Sequence, residues 1–182
     1  MVMTLALAIN TGKTTEAIAL LLKLHQKPMI LSQLLKLMYF IDLQFLVRTN
    51  RSLTNDSYLG KQSGLIPKQI PKLVEQLQSE RLISTPANSS GYIALKRQIT
   101  SSHLSSSEIA IVTAVYHQKK DINPFNLLDW NYNLEFIKNH VKTKRTILIT
   151  PLDMMRSLEK TEAEIQAYLD TQTVPSTTLS VA

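Results

Sequence analysis

Apolar residues recur through residues 30–48 at Leu31, Leu34, Leu35, Met38, Phe45 and Leu46, the i, i+3, i+4, i+7 spacing of an α-helix. Leu37, Phe40, Ile41, Leu43 and Val47 fill much of the opposite side, which leaves a thin polar strip of Gln33, Lys36, Gln44 and Arg48. A helix that is apolar nearly all round is buried in a core or spans a membrane. Lys36, Asp42 and the glutamines interrupt the run well short of the ~18–20 apolar residues a span requires. The pattern therefore predicts a central helix packed on several sides.

Shorter periodic runs flank it. Ala17, Ile18, Leu21, Leu22 and Leu24 predict a helix over about 15–25, capped by Thr14 or Thr15 and ended by Lys27-Pro28. Residues 50–57 are turn chemistry, and 58–64 a short extended or loop segment. Pro67 and Pro71 place the start of the next helix near Pro71, and Leu73, Val74 and Leu77 carry it to about Glu80. Two apolar runs, 82–85 and 92–95, surround a Pro-Ala-Asn-Ser-Ser-Gly turn and predict a β-hairpin. Serine before Glu108 caps a helix to about His117. Beyond it, Phe125–Trp130 reads as a core plug or docking edge, Leu134–Val141 as a helix, and Thr146–Pro151 as a strand. Residues 152–169 read as one helix, and 171–182 as a small polar tail. The fold class expected is mainly α with an α+β character: a compact helical domain around a central buried helix with a small β-hairpin. A helix followed directly by a hairpin is partly winged-helix-like, a likeness of layout that does not give function.

Composition narrows the chemistry. The 182 residues carry a net charge of +6, which suits acidic partners or a solvated basic surface. Glu159, Glu162, Glu164 and Asp170 face one Lys160 near the end, so the body is more basic than the total implies. The densest basic cluster is Lys138, Lys142, Lys144 and Arg145, with His140 among them. There is no cysteine, which excludes disulfides and thiolate metal sites. The apolar N-terminus lacks the basic region of a signal peptide, so a cytoplasmic protein is expected.

No enzyme constellation emerges. Gly12-Lys13-Thr14-Thr15 resembles the end of a phosphate-binding loop, but Leu7 stands where the upstream glycine is needed. The four histidines lie far apart in sequence, and no serine sits in a Gly-x-Ser-x-Gly elbow. No catalytic residue, metal ligand or cofactor is expected. Asp42, inside the apolar helix, needs donors or a cation to stay charged: it faces a solvated groove, pairs with a neighbour such as Arg48, or lines a binding site. Gly64 reads as a turn glycine with an unusual backbone angle.

The run Leu35-Lys36-Leu37-Met38-Tyr39-Phe40 resembles the "LxKLxYF" opening of the Panacea, or SocA-like, antitoxin domain. That family follows the helix with a "GPV" turn, whose matching place here is Gly64-Leu65-Ile66-Pro67, with Leu65 in place of the proline and Ser63 in place of the usual aromatic. The resemblance implies one SocA-like domain over residues 1–150, with 151–182 a C-terminal helix and disordered acidic tail. It further implies a bacterial or phage-borne, non-enzymatic module that binds and neutralises a cognate toxin, in some relatives by delivering it to a protease. Partner-facing candidates are Arg48, Arg51, Tyr58, Trp130 and Tyr132. The alternative is a winged-helix-like nucleic-acid-binding regulator that contacts phosphates through Lys68, Lys72, Lys96, Arg97, Lys142, Lys144 and Arg145.

Overall fold

The computed structural model describes residues 8–61, 64–87, 89–99, 102–121, 123 and 146–173. The central helix is α2, Leu31–Thr49. Leu34, Leu37, Met38, Tyr39, Ile41, Phe45 and Leu46 are buried on it, so it is enclosed on several sides as its pattern predicts. Its first amide, Leu31 N, donates to Gly91 O at 2.8 Å. Its end is set by Asn50 in the left-handed region (φ 55°), a conformation asparagine tolerates better than most residues. Two members of the polar strip are themselves buried. Gln33 Nε2 donates to Lys120 O at 2.7 Å, and Lys36 Nζ donates to Asn123 O at 2.9 Å. Both tie α2 to the chain beyond the next long helix that packs on it. The lysine's apolar stem makes such burial tolerable.

Helix α1, Thr11–His25, begins four residues before the expected start at about residue 15. Its cap is Asn10, not Thr14 or Thr15: Asn10 Oδ1 accepts from Lys13 N, and Thr14 Oγ1 donates to Asn10 O at 2.6 Å. Gly12-Lys13-Thr14-Thr15 is thus the first turns of a helix rather than a loop. Gly12 fits there because a Cβ would lie 2.9 Å from Cγ of His103. Gln26, left-handed at φ 62°, ends α1 just before Pro28.

Strand β1, Met29–Ile30, follows, too short to be seen in the apolar pattern. It pairs antiparallel with β5, Tyr92–Leu95, which pairs in turn with β4, Ile83–Ser84. The predicted hairpin is therefore two strands of a three-stranded sheet, order β1-β5-β4. Helix α3, Ile70–Ser79, precedes it, with Pro71 in its first turn and Ile70, Leu73, Val74 and Leu77 buried. The order α1-β1-α2-α3-β4-β5 has the winged-helix layout, with an insertion between α2 and α3.

That insertion is a second hairpin, β2 (Tyr58–Lys61) and β3 (Gly64–Pro67), where the sequence suggested extended chain or loop. Strand β6, Ile147–Ile149, pairs antiparallel with β2 and completes the order β3-β2-β6. A Cβ on Gly60 would lie 2.8 Å from Ile147 Cγ1, so the glycine admits the facing isoleucine. Helix α4, Ser106–Lys119, opens on a full capping box between Ser105 and Glu108.

The helix expected over 152–169 is two: α5, Pro151–Ser157, and α6, Glu162–Thr173. Each has its own start. Thr150 and Asp153 form one capping box, and Thr161 and Glu164 exchange the same pair of bonds. Glu159, at φ 56°, turns the chain between them. Met154, Met155, Ile165 and Tyr168 all enter the same apolar core as α2. Among the described residues, no helix is long and apolar enough to cross a membrane. The readings of Phe125–Trp130, Leu134–Val141 and the tail beyond 173 lie outside the described residues.

Candidate interaction site

Asp42 is where the interior reaches toward the surface. It neither faces a groove nor pairs with Arg48: it is fully buried, and the chain after α2 folds back to surround it. Asn50 and Asn55, both at positive φ, provide the two sharp turns. Ser52 Oγ (2.9 Å), Leu53 N (2.9 Å) and Thr54 N (3.0 Å) donate to Oδ1. Thr54 Oγ1 and Tyr58 OH (2.6 Å for Tyr58) donate to Oδ2. Burial pushes the Asp42 carboxyl above the usual carboxylate range, and the bonds from Thr54, Tyr58 and Ser52 pull it back down. All five groups act as donors, the arrangement an ionised carboxylate requires.

Asp56 does parallel work at the other end of the loop. It accepts from Ser57 N, Gln69 N and Ile70 N, the last at 2.9 Å, so it holds the start of α3. Burial raises its pKa too, opposed mainly by the Gln69 and Ile70 amides. The two aspartates are joined through Thr54, whose Oγ1 donates to Asp42 and accepts from Asp56 N at 2.9 Å. Tyr58 stays a phenol, because burial and the Asp42 charge both raise its pKa. Its ring stacks edge-on against Tyr39 at 5.4 Å. Tyr58 was expected to face a partner. It is instead fully buried, because its hydroxyl is one of the donors Asp42 needs.

This loop carries Arg51 and Ser52 outward to form one wall of a groove of about 560 Å³. Phe45 and Thr49 of α2, Lys13 of α1, and Glu108 and Ile111 of α4 line it too. Lys13 Nζ and Glu108 Oε1 form a salt bridge across it at 2.5 Å. Burial acts to raise the Glu108 carboxyl, but the bonds from Lys13 and Ser105 outweigh that and hold it below the usual range. Glu16 Oε2 accepts from His103 N (2.7 Å) and Leu104 N (3.0 Å), which pins the chain entering α4 onto α1. A smaller groove of about 170 Å³, which also reaches Leu104, is lined by Ala19, Leu20, Leu95 and Ile109 with Glu16 and Lys23. The larger one joins apolar side chains to the exposed Arg51, and it is the better candidate for recognition.

Arg48 and Arg51 are both exposed. Arg51 lines the groove, and Arg48 lies three residues after Phe45 on the same helix. No ion pair among the described residues reaches either arginine. Lys68 and Lys72 are exposed at the start of α3, whereas Lys96 and Arg97 follow β5 near its end, where Arg97 Nη2 donates to Glu80 O at 3.0 Å. These four do not converge, and Glu75 and Glu80 are exposed along the same helix. Trp130, Tyr132, Lys142, Lys144 and Arg145 lie outside the described residues. Sequence reasoning missed Lys13 and Glu108. The capping box of Glu108 was legible, but its lysine partner is 95 positions away. Among the described residues, no group of three or more His, Asp or Glu is placed to hold a metal ion.

Residues 34–136, more than half of the chain, match the family described as antitoxin SocA-like, Panacea domain. The chain belongs to that family. No curated protein and no solved structure matches it. The family's opening motif proves to be interior. Lys36, Leu37, Tyr39 and Phe40 are all buried in α2, so these shared residues build the scaffold.

Proposed function

We propose that this member of the SocA-like Panacea family is a non-enzymatic interaction module that binds a cognate toxin protein and neutralises it. The observation that carries the reading is the family match over residues 34–136, which supports a toxin–antitoxin role. The geometry supports it in a second way. Buried polar residues hold the fold, as at Asp42 and Asp56, whereas the exposed Arg51 presents charge in a groove. A scaffold fixed by buried motif residues, with recognition on an exposed rim, suits a family whose members meet different partners. Action in the cytoplasm, and delivery of the bound toxin to a protease, are parts of the same proposal.

The winged-helix layout favours a second reading, a regulator that binds nucleic acid. Its cations would be Lys68, Lys72, Lys96 and Arg97, but they occupy the two ends of α3 with Glu75 and Glu80 along it. A DNA backbone rewards a continuous basic stripe, so the protein-binding reading is preferred.

The test is co-expression. Each protein encoded beside this chain is induced in a heterologous host with and without it, and the complex is recovered through a tag. The expected result is one toxic neighbour, harmless and co-purifying when this chain is present. Toxicity unaffected by the chain for every neighbour would overturn the reading.

A further inference from the structure

We propose that the groove between the end of α2 and the start of α4 receives an acidic segment of the partner protein, with an apolar side chain on the groove floor and carboxylates on Arg51 and Arg48. This deepens the antitoxin reading and rests on it.

Part of the lining is apolar, contributed by Phe45, Leu104 and Ile111, and Phe45 and Leu104 are themselves buried side chains of the core. The groove's volume, about 560 Å³, is ample for a large side chain and part of its backbone. The walls carry unequal charge. Lys13 is matched by Glu108, so the charges of this wall satisfy each other. Arg51 is different: among the described residues its guanidinium meets no carboxylate, and neither does that of Arg48. The surplus charge at this rim is positive, and a guanidinium fork suits a carboxylate.

The groove is also pre-shaped. Ser52, Leu53 and Thr54, next to Arg51, are fixed by their bonds to the buried Asp42. The wall opposite is fixed by Glu16 and the Ser105–Glu108 capping box. Neither wall has to order itself on binding, so little conformational entropy opposes docking there. A phosphate backbone fits less well. It offers no apolar group to cover Phe45, Leu104 and Ile111.

The experiment uses the full chain and fluorescent peptides of about twelve residues. One set carries a central Leu or Phe flanked by Asp and Glu, and a matched set carries the same anchor flanked by Lys and Arg. A duplex DNA of mixed sequence is the third probe. The acidic set is expected to bind, and the basic set to bind at least about tenfold more weakly. The double variant Arg48→Glu/Arg51→Glu should lose at least about tenfold, with Arg51→Ala between it and wild type and Lys72→Glu unchanged. Thermal melts of each variant are expected to superimpose on wild type. Equal binding of both peptide sets, unchanged binding by the double variant, or preference for the duplex would each overturn the inference. Co-expression separates the two proposals. Protection from the toxin by wild type and by the double variant alike would reject the groove alone. Failure of wild type to protect against any neighbour would reject the antitoxin reading itself.

Discussion

The chain has two polar clusters within a few residues of each other, and they are organised in opposite ways. Around Asp42 and Asp56, hydroxyls and backbone amides turn inward onto two buried carboxylates. Around Arg48 and Arg51, the charged groups are exposed, and among the described residues no carboxylate pairs with them. The residues 51–54 belong to both: their backbone is held by the first cluster while Arg51 serves the second. The difference separates what the fold requires from what the surface is free to vary. Removing an inner group leaves a buried charge or donor unsatisfied, whereas removing an outer one returns it to water.

The largest effect that could break this division is at Asp42. Asp42→Asn sets amide hydrogens against hydroxyl and amide donors, and should cost about 3–5 kcal/mol in equilibrium denaturation, within reach of the whole stability of a domain this size. Tyr58→Phe removes one donor and leaves the ring packing, so about 1–3 kcal/mol is expected by the same measurement. Asp56→Asn should fall in the same range, with local loss of helix at α3 seen as faster amide exchange from Ile70 onward.

The pH dependence sharpens the contrast. Burial raises Asp42 and Asp56, so between the unfolded-chain value and the raised values the native state holds the extra protons. Stability due to these two groups therefore falls as pH rises through that window. Glu164 behaves oppositely. The amide and hydroxyl of Thr161, with Asn50 and Lys160, hold it down to about 2, so its contribution is present above the unfolded value and lost as pH falls through the folded one. Melting midpoints taken through the acid range should show Asp42→Asn weakening the first trend, with the Asp56 share left, and Glu164→Gln losing the second. Identical profiles for wild type and both variants would contradict these assignments.

The smallest effects belong to the rim. Lys13→Ala breaks a partly exposed ion pair and should cost no more than about 1 kcal/mol. Arg51→Glu should change stability by within about 0.5 kcal/mol, since nothing described pairs with it.

The central helix was legible because nineteen residues of regular periodicity outvote any local ambiguity. The hairpin of β4 and β5 was legible from its turn. Strand β1 was not, since two residues carry no period and its pairing depends on chain more than sixty positions away. The start of α1 was missed because Asn10 caps it before any apolar residue is reached. The break between α5 and α6 had a readable sign, Thr161 three residues before Glu164, that the continuous apolar pattern obscured. For the site, the sequence named Arg48 and Arg51 as candidates but could not orient them, and the fold leaves both exposed. The role of Asp42 was only half legible. A carboxylate inside an apolar helix signals that donors must exist, but those donors come from a loop whose turns at Asn50 and Asn55 bring Ser52, Thr54 and Tyr58 back to it. The same confusion put Tyr58 on the surface: a tyrosine after a polar turn looks exposed until its hydroxyl is known to have a buried acceptor.

The most direct measurement is urea denaturation of Asp42→Asn and Arg51→Glu side by side with wild type. If the inner cluster holds the fold and the outer one is free for recognition, the Asp42→Asn midpoint drops by about 3–5 kcal/mol in stability while Arg51→Glu overlays the wild-type curve. A comparable drop for Arg51→Glu, or none for Asp42→Asn, would contradict the division.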